Sequence, residues 1–354
     1  VLHLASVGLV LRRLARPAVK AGPLGLPKVT LLRPVCGSDP FDAETLASSF
    51  RQDYPEYEVI FCAPSDTDPA AAVVRRLVAE NPGVKARLLT GQAYLSGNPK
   101  LDNLDKGWAV ADSDWICMTD SNLMLPPDYL RQVVAAWGQD TGMVSGPAFG
   151  DRPDGWGGRL ECAFLNGNQA RLQLAADELG TGFAQGKTLF WNRPMLDGAG
   201  GLPVLGRWLA EDVASTKLVR GMGRQVSLTA RLFPQPVGRK SLRQVWDRQL
   251  RWSRIRRQGF PALFLLEPAN GIVLPLLLLL ASGVAPLWAV AFAALWYGAE
   301  WAMMARAGWP SSWRDAVAMP LRDALLLPLW VTTFRQKGIN WRGNSMQAPQ
   351  VGRV

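Results

Sequence analysis

"NPKLDNLDKGWAVADSDWICMTDSN", residues 98–122, contains the two local patterns on which the predicted fold depends. The segment begins like a turn followed by a helix and ends with the apolar run DWICMT, residues 114–119, which is typical of a buried strand. Asp120 comes directly after that strand, so we expect it in a polar loop. With Lys100 near the start of the helix, the segment supplies one acidic and one basic candidate for a functional site.

Strand and helix patterns alternate through the first half of the chain. Helical patterns at residues 42–53, 68–82 and 127–138 separate the apolar runs. This alternation predicts an α/β fold, in which a mainly parallel sheet has helices on both faces. The predicted strands are VTLLRPV (29–35), YEVIFCAP (57–64), VKARLLTG (84–91), DWICMTD (114–120) and GMVSGPAF (142–149).

Acidic side chains follow two of these strands. In parallel sheets, ligands bind beyond the carboxyl ends of the strands, where Asp66 and Asp68 follow the second strand and Asp120 and Asn122 follow the fourth. Such aspartates also form turns or cap helices, and Asp68 before a proline suits an N-cap. Oxygen ligands in this place can bind Mg²⁺ or Mn²⁺ together with the phosphates of a nucleoside diphosphate sugar. Lys100 would add positive charge there or form a surface salt bridge.

The apolar C-terminal region predicts membrane helices. Residues 262–282 and 284–305 each contain a single charged residue and are about the length that crosses a hydrocarbon layer of roughly 30 Å. A third run, residues 316–334, contains Arg322 and Asp323, so spanning and interfacial placements fit it equally well. Buried core helices are the alternative, but the tryptophans clustered in this region favour the membrane interpretation.

Charge and rare residues narrow the function classes. The net charge of +10 is concentrated in residues 238–258, just before the first apolar run, which favours a cytoplasmic, membrane-facing position. No nucleic-acid-binding module accompanies this cluster. The four cysteines lack CxxC spacing and are expected to be reduced thiols. With His3 as the only histidine, acid–base chemistry is assigned to carboxylates.

Five motifs occur in order along the chain: NPKLDNL (98–104), DSN (120–122), GKTLFW (186–191), AEDVAST (210–216) and RQLRW (248–252). Taken together, they resemble the membrane glycosyltransferases of the ceramide glucosyltransferase family, which is glycosyltransferase family 21 and is related to family 2. The resemblance covers roughly residues 28–270 and implies a GT-A catalytic domain. Members of the family are marked by three separated aspartates followed by an (R or Q)xxRW motif.

The resemblance assigns roles to the acidic residues one by one. Asp68 matches the first aspartate and is implied to contact the uridine end of the donor. Asp120 matches the metal-binding aspartate, and a strict DxD motif is absent because Asn122 occupies its third position. Asp212 matches the general base, and Glu211 beside it is placed with the donor. Without the resemblance, these two acids would simply begin a helix.

The remaining motifs supply the phosphate and acceptor candidates. Arg248 and Arg251 are three residues apart on one helical face, where planar guanidinium groups suit a diphosphate, and Trp252 could shape the sugar or acceptor pocket. An amphipathic helix facing lipid headgroups is the alternative for this segment. Gly186 and Lys187 lie where related enzymes form part of the donor and acceptor pocket, and a turn before a strand is the alternative.

One departure from the family concerns the acceptor. Some eukaryotic relatives have a histidine in the segment corresponding to LNGNQARLQ, residues 165–173, where this chain has Gln169. This difference bears on acceptor and inhibitor recognition, and it leaves the implied reaction type unchanged.

The predicted function is inverting transfer of a hexose, most simply glucose, from a UDP-sugar to the primary hydroxyl of a ceramide-like lipid, with Mn²⁺ or Mg²⁺ as cofactor. Transfer to another lipid such as a hopanoid polyol, processive polysaccharide synthesis and a non-catalytic membrane scaffold are the alternatives. A bacterial inner-membrane protein with a cytosolic catalytic domain is expected, without a nucleic-acid or obligate protein partner.

The predicted domain boundaries follow these motifs. Residues 1–27 are expected to form a linker and part of a longer N-terminal membrane helix, and residues 28–235 the GT-A domain. Residues 236–260 form a basic interfacial helix in this scheme, and residues 261–354 form membrane helices and a tail.

Overall fold

The computed structural model describes residues 2–16, 22–91, 96, 98–335, 339–341 and 344–346. The chain divides into two compact units, each built from separate stretches of sequence. We call them the sheet unit (Pro17–Ala148, Leu179–Pro236 and Met346–Val354) and the helical unit (Val1–Arg16, Phe149–Glu178 and Val237–Ser345). Residues 149–178 therefore lie outside the sheet unit, whereas the predicted catalytic domain included them.

The secondary structure of the described residues is numbered in chain order. The strands are β1 Val29–Pro34, β2 Tyr57–Ala63, β3 Ala86–Thr90, β4 Trp115–Thr119, β5 Thr141–Ser145, β6 Ala148–Asp154, β7 Thr188–Asn192, β8 Gln225–Leu228, β9 Phe233–Arg239, β10 Ile339–Trp341 and β11 Asn344–Met346. The helices are α1 Leu2–Ala15, α2 Asp42–Ala47, α3 Pro69–Glu80, α4 Pro99–Val110, α5 Tyr129–Ala135, α6 Gly155–Cys162, α7 Arg171–Glu178, α8 Arg193–Gly198, α9 Gly201–Leu205, α10 Glu211–Gly221, α11 Leu242–Gly259, α12 Pro261–Leu265, α13 Val273–Ala281, α14 Pro286–Ala307 and α15 Trp313–Arg335.

The sheet unit contains the predicted mainly parallel sheet. Its strands lie in the order β3-β2-β1-β4-β7-β5-β8, and only β7 runs antiparallel to its neighbours. Strands β1, β2 and β4 are buried along almost their whole length and are mostly apolar, with Thr30, Arg33, Glu58 and Thr119 as buried polar exceptions. Since β7 lies beside β4, the end of β4 meets the start of β7, with Thr119 opposite Thr188.

Helix α4 is held on the sheet by a close approach at Gly107. A Cβ atom at this position would lie 2.3 Å from Leu32 Cδ1 and 2.7 Å from Cys62 Sγ, so only glycine permits the packing. The Asn98 side chain caps the helix by accepting a hydrogen bond from the Lys100 backbone N–H at 3.0 Å, and Pro99 follows the cap. These contacts fix Lys100 in the first turn of α4.

The helical unit differs from the predicted row of membrane helices. Residues 262–282 do not form one spanning helix: the chain breaks into α12, a 3-10 turn (Glu267–Asn270) and α13, whose nine residues reach about 14 Å. Within the described part of the chain, α15 is the one helix that is long and apolar enough to cross a membrane by length and composition. The apolar run at residues 316–334, for which spanning and interfacial placements were left open, is therefore the one that meets this test.

A buried set of charges lies inside the helical unit. We call Arg171, Glu300, Arg322 and Asp323 the arginine cluster, and each is at most 2% exposed. Arg322 pairs with Glu300 and donates from Nε to Asp323 Oδ1 at 2.8 Å, while Asp323 Oδ2 accepts from the Ile272 backbone N–H at 3.0 Å. The two arginines and two carboxylates balance in charge, as burial of ions requires.

Candidate active site

A buried arginine that was not among the predicted site residues holds the loop after β4 in place. Arg33, on β1, is fully buried and donates from Nη2 to the carbonyl oxygens of Asp120, Ser121 and Leu123 at 2.7, 3.0 and 2.9 Å. Burial lowers the pKa of Arg33 to about 10, against the effect of nearby groups that include Asp120. Arg33 therefore fixes the backbone of the DSN motif.

Lys100 lies at the centre of the site. Its Nζ atom is 2.6 Å from Asp120 Oδ1, 2.6 Å from Glu211 Oε1 and 2.7 Å from the Gly186 carbonyl oxygen. Burial alone would lower the pKa of Lys100, but the charges of Asp120 and Glu211 outweigh it and raise that pKa. Lys100 is thus a buried, permanently charged group, and the alternative of a surface salt bridge is wrong.

Lys187 provides a second cation on the other side of Asp120. Its Nζ atom lies 3.1 Å from Asp120 Oδ2 and 3.1 Å from Asn122 Oδ1. Burial would raise the pKa of Asp120, but Lys100 and Lys187 together lower it to about 2. We call Lys100, Asp120, Lys187, Glu211 and Asp212 the lysine cluster. Asp120 is its most open member among those in ion pairs, because 26% of its side chain is exposed.

The two predicted metal ligands, Asp120 and Asn122, both contact the ammonium group of Lys187. Asp120 and Asn122 direct a carboxylate oxygen and an amide oxygen at the same ammonium group, so their donor chemistry fits a hard divalent ion. Among the described residues, no group of three or more His, Cys, Asp or Glu side chains could hold a metal ion. Further ligands would therefore be phosphate oxygens and water, as is usual for Mg²⁺.

Among the described residues, Asp212 is the carboxylate of the lysine cluster that has no recorded ion pair with a lysine. It lies in the first turn of α10, and its side chain accepts hydrogen bonds from the backbone N–H groups of Gly186 at 3.2 Å and Val213 at 2.7 Å. Burial, followed by the charge of Glu211, raises the pKa of Asp212 to about 6. A carboxylate with a pKa near neutrality is suited to exchange a proton with a substrate.

Gly186 connects the members of the site through its backbone. Its N–H contacts Asp212 and its carbonyl oxygen contacts Lys100. A Cβ atom at this position would lie 2.8 Å from Glu211 Oε1, and Glu211 is held on its other side by Asn98 Nδ2 at 2.9 Å. The glycine thus leaves room for the ion pair between Lys100 and Glu211.

The first predicted aspartate has a structural role in the same unit. Asp68 caps α3 by accepting from the Ala70 N–H at 2.9 Å, and it also accepts from the Gly37 N–H at 3.0 and 3.1 Å. It thereby ties the loop after β1 to the end of β2. Asp66 lies on the surface and pairs with Arg75. The uridine contact expected for Asp68 stays a prediction.

The RQLRW motif lies on α11 in the helical unit. The helix begins with a reciprocal capping box between Ser241 and Gln244. Arg248 Nη1 donates to Glu161 Oε1 at 2.7 Å, and Gln249 Nε2 donates to Glu161 Oε2 at 3.2 Å. Glu161, on α6, is 1% exposed. Glu161 holds the motif in place, although it lies 87 residues from Arg248 in the chain. Because of that separation, no sequence pattern indicates the pair.

Two further residues of this motif were predicted to act at the site. Trp252 packs against the small apolar cluster of Cys162, Leu165 and Val237, and the Arg248 guanidinium carbon is 5.2 Å from its ring centroid. Arg251 lies on the same helix and is partly buried. The structure therefore gathers the predicted donor and base residues, except for Asp68, into the lysine cluster and its edge, and Arg248 and Trp252 into a second group in the other unit.

Known proteins with similar sequences share one described activity. The chain is 27% identical over 251 residues to ceramide glucosyltransferase 1 of Caenorhabditis elegans, covering 70% of this chain and 54% of that protein. It is also 27% identical over 306 residues to ceramide glucosyltransferase of Komagataella phaffii, covering 70% and 60%. The chain thus spans little more than half the length of these relatives.

A solved structure and a family profile complete the comparison. The mannosyltransferase PcManGT of Pyrobaculum calidifontis, solved with GDP-Man and Mn²⁺, matches with a TM-score of 0.57 and 19% identity over 94% of this chain and 99% of that one. This likeness confirms the predicted GT-A fold. The profile of glycosyl transferase family 21 matches residues 1–354. The chain therefore belongs to glycosyl transferase family 21.

Proposed function

We propose that this chain transfers a hexose, most simply glucose, from a UDP-sugar to the primary hydroxyl of ceramide or a similar lipid. The carrying observation is Asp212, a carboxylate with a pKa of about 6 at the edge of a buried lysine–carboxylate cluster. Family membership and the ceramide glucosyltransferases among the relatives support the donor and acceptor classes. The site thus pairs a proton acceptor with cations suited to a diphosphate.

The proposed reaction is a single displacement. Asp212 accepts the proton of the acceptor hydroxyl while that oxygen bonds to the anomeric carbon of the sugar. The bond between that carbon and the diphosphate oxygen breaks at the same time, and UDP departs with the electron pair. Attack opposite the leaving group inverts the anomeric centre. The Gly186 and Val213 N–H groups would keep the carboxylate in place while it receives the proton.

Positive charge would stabilise the departing diphosphate. Lys100 and Lys187 lie at Asp120, and both are nearly buried, so their charges are weakly screened by solvent. A divalent ion, Mn²⁺ or Mg²⁺, would be held by Asp120 and Asn122 and would neutralise charge developing on the leaving group. We assign Glu211 and Gly186 to the donor site because they set the position of Lys100. Asp68 is assigned to the uridine end.

We assign Arg248 and Arg251 of α11 to the diphosphate and Trp252 to the acceptor pocket. The ion pair between Arg248 and Glu161 supports a fixed orientation of this guanidinium. The many basic residues of α11 and the apolar α15 support a position at a membrane, from which a lipid acceptor could enter. We place the catalytic unit on the cytosolic face of a bacterial inner membrane.

The test is transfer of label from UDP-glucose to ceramide by purified protein in detergent, with Mn²⁺ or Mg²⁺. The parent protein is expected to form a ceramide monohexoside. Asp212→Asn should lower the rate by roughly 10²- to 10⁴-fold and leave UDP binding largely unchanged. Asp53→Asn is the matched control, because this exposed carboxylate pairs only with surface Arg131 in the recorded ion pairs.

Four outcomes would contradict parts of the proposal. Near-normal transfer by Asp212→Asn would overturn the assignment of the base. Label in another lipid, with ceramide inactive, would change the acceptor, and UDP binding without any transfer would point to a scaffold. Activity that survives thorough chelation by EDTA would remove the metal from the reaction.

A further inference from the structure

We propose that Lys187 is a built-in cation that competes with the divalent metal for Asp120 and Asn122. The proposal rests on the donor site described above and concerns how that site controls its metal. Lys187 Nζ is equidistant from Asp120 Oδ2 and Asn122 Oδ1, at 3.1 Å from each. These are the two oxygens assigned to the metal, so an ammonium group and a metal ion require the same pair of ligands.

The backbone holds Lys187 beside Asp120. The Asp120 N–H donates to the Lys187 carbonyl oxygen at 3.0 Å, and the next pair along the antiparallel ladder is Thr119 with Thr188. The main chain of Lys187 therefore cannot move away without breaking the contact between β4 and β7. Its ammonium group can leave the two oxygens only by rotation of its own side chain.

The cation is also kept from water. Lys187 is 7% exposed, so solvent screens its charge weakly. Lys100 is a different case: it contacts the other carboxylate oxygen of Asp120 as well as Glu211, and it has no recorded bond to Asn122. Lys187 alone among the recorded contacts bridges the two metal ligands. Lys187 is therefore the ammonium group that occupies the place assigned to the metal ion.

Two consequences follow for the binding of Mn²⁺. The metal-free site keeps its oxygens compensated by Lys187, so the protein binds Mn²⁺ more weakly than the same oxygens would alone. With a metal ion bound to the two oxygens, the Lys187 ammonium group would remain tethered near the site by its own backbone, where it could contact an anionic donor. Lys187 thereby acts as a positioning residue that links metal entry to the presence of the diphosphate.

The experiment measures Mn²⁺ affinity directly, by electron paramagnetic resonance of free Mn²⁺, with neither donor nor acceptor present. Lys187→Met should bind Mn²⁺ roughly tenfold more tightly than the parent, the scale on which groups around a metal alter its affinity. Lys187→Gln, which keeps polar contacts without the charge, should give the same direction. Lys85→Met is the control, because Lys85 pairs with Asp112 and Glu58 away from the site.

The outcomes separate this proposal from the proposed function. Equal Mn²⁺ affinity in the parent and both Lys187 variants, with far-ultraviolet circular dichroism unchanged, would overturn the competition. Absence of Mn²⁺ binding in every variant would overturn it as well, because Asp120 and Asn122 would then hold no metal. Failure of ceramide glucosylation by the parent protein, together with tighter Mn²⁺ binding by Lys187→Met, would leave the competition standing and overturn the proposed function.

Discussion

The two units each contain a buried group of charges, and the two groups differ in balance and access. The arginine cluster of the helical unit has two cations and two carboxylates, all at most 2% exposed. The lysine cluster of the sheet unit has two cations and three carboxylates, and the side chain of Asp120 is 26% exposed. The arginine cluster is buried and has no net charge, whereas the lysine cluster is partly exposed and carries one excess negative charge.

The difference indicates what each cluster does. In the arginine cluster, Arg322 is satisfied by carboxylates and by the Ala163 carbonyl oxygen, an arrangement that holds helices together. In the lysine cluster, the excess falls on Asp212, whose pKa rises to about 6. Accessible groups with shifted pKa values are typical of functional sites, whereas buried ion pairs of balanced charge are typical of structural contacts. We therefore expect changes in the first cluster to affect stability and changes in the second to affect turnover.

The largest expected effect is on stability, from Glu300→Gln. This change removes one of the two negative charges of the sealed cluster and leaves Arg171 and Arg322 with Asp323 alone. Breaking a buried ion pair in this way costs about 3–5 kcal/mol. Denaturant unfolding in detergent, followed by tryptophan fluorescence, should show a matching loss in the free energy of unfolding.

A surface carboxylate provides the control for that measurement. Glu80→Gln removes an exposed partner of Arg76 on α3 and should cost no more than about 1 kcal/mol. If Glu300→Gln unfolds at the same denaturant concentration as this control, the arginine cluster does not stabilise the helical unit, and the contrast between the clusters fails.

A smaller loss of stability is expected from Gly167→Ala. A Cβ atom at this position would lie 1.8 Å from Glu300 Oε1 and 2.2 Å from Arg322 Nη1, so the buried pair must move. Overpacking of this kind costs about 1–3 kcal/mol. The same unfolding measurement applies, with Gly298→Ala on α14 as control, because no atom lies within 4 Å of a Cβ there. Equal free energies of unfolding for the two variants would show that the Glu300–Arg322 pair can move without loss of stability.

The fold could be predicted from sequence because it depends on local patterns. The apolar strands and the helices between them have distinct periodicities, and the parallel sheet follows from their alternation. The antiparallel direction of β7 did not follow, since it is set by pairing with β4 across the chain. The long apolar run at 262–282 suggested one helix, but Pro268 and Gly271 fall where the chain departs from α-helix.

The site could be predicted only in part, for a related reason. Asp120, Lys100 and Asp212 were found through motifs. Their geometry depends on Arg33, which is buried beneath the loop it supports, and on the β7 register that places Lys187 beside Asp120. Arg33 is not distinctive in sequence, because a single arginine in a strand pattern carries no motif. Lys187 was found through the GKTLFW motif, but its contact with Asp120 depends on strand pairing that the sequence does not show.

The smallest predicted effect concerns pH, and it tests whether Asp212 is the titrating group of the open cluster. A base must be ionised to accept a proton, so kcat/KM should level off well above the Asp212 pKa of about 6 and fall about tenfold per pH unit well below it. The charge of Glu211 raises that pKa, so Glu211→Gln should move the acid limb of the profile to lower pH. The transfer rate of this variant should also fall, because Lys100 loses an ion-pair partner. Transfer is measured from pH 4.5 to 8 in each variant, with Asp53→Asn expected to keep the parent profile. If the acid limb of the profile does not move in Glu211→Gln, another group titrates. The contrast between the two clusters would then lose its titratable carboxylate.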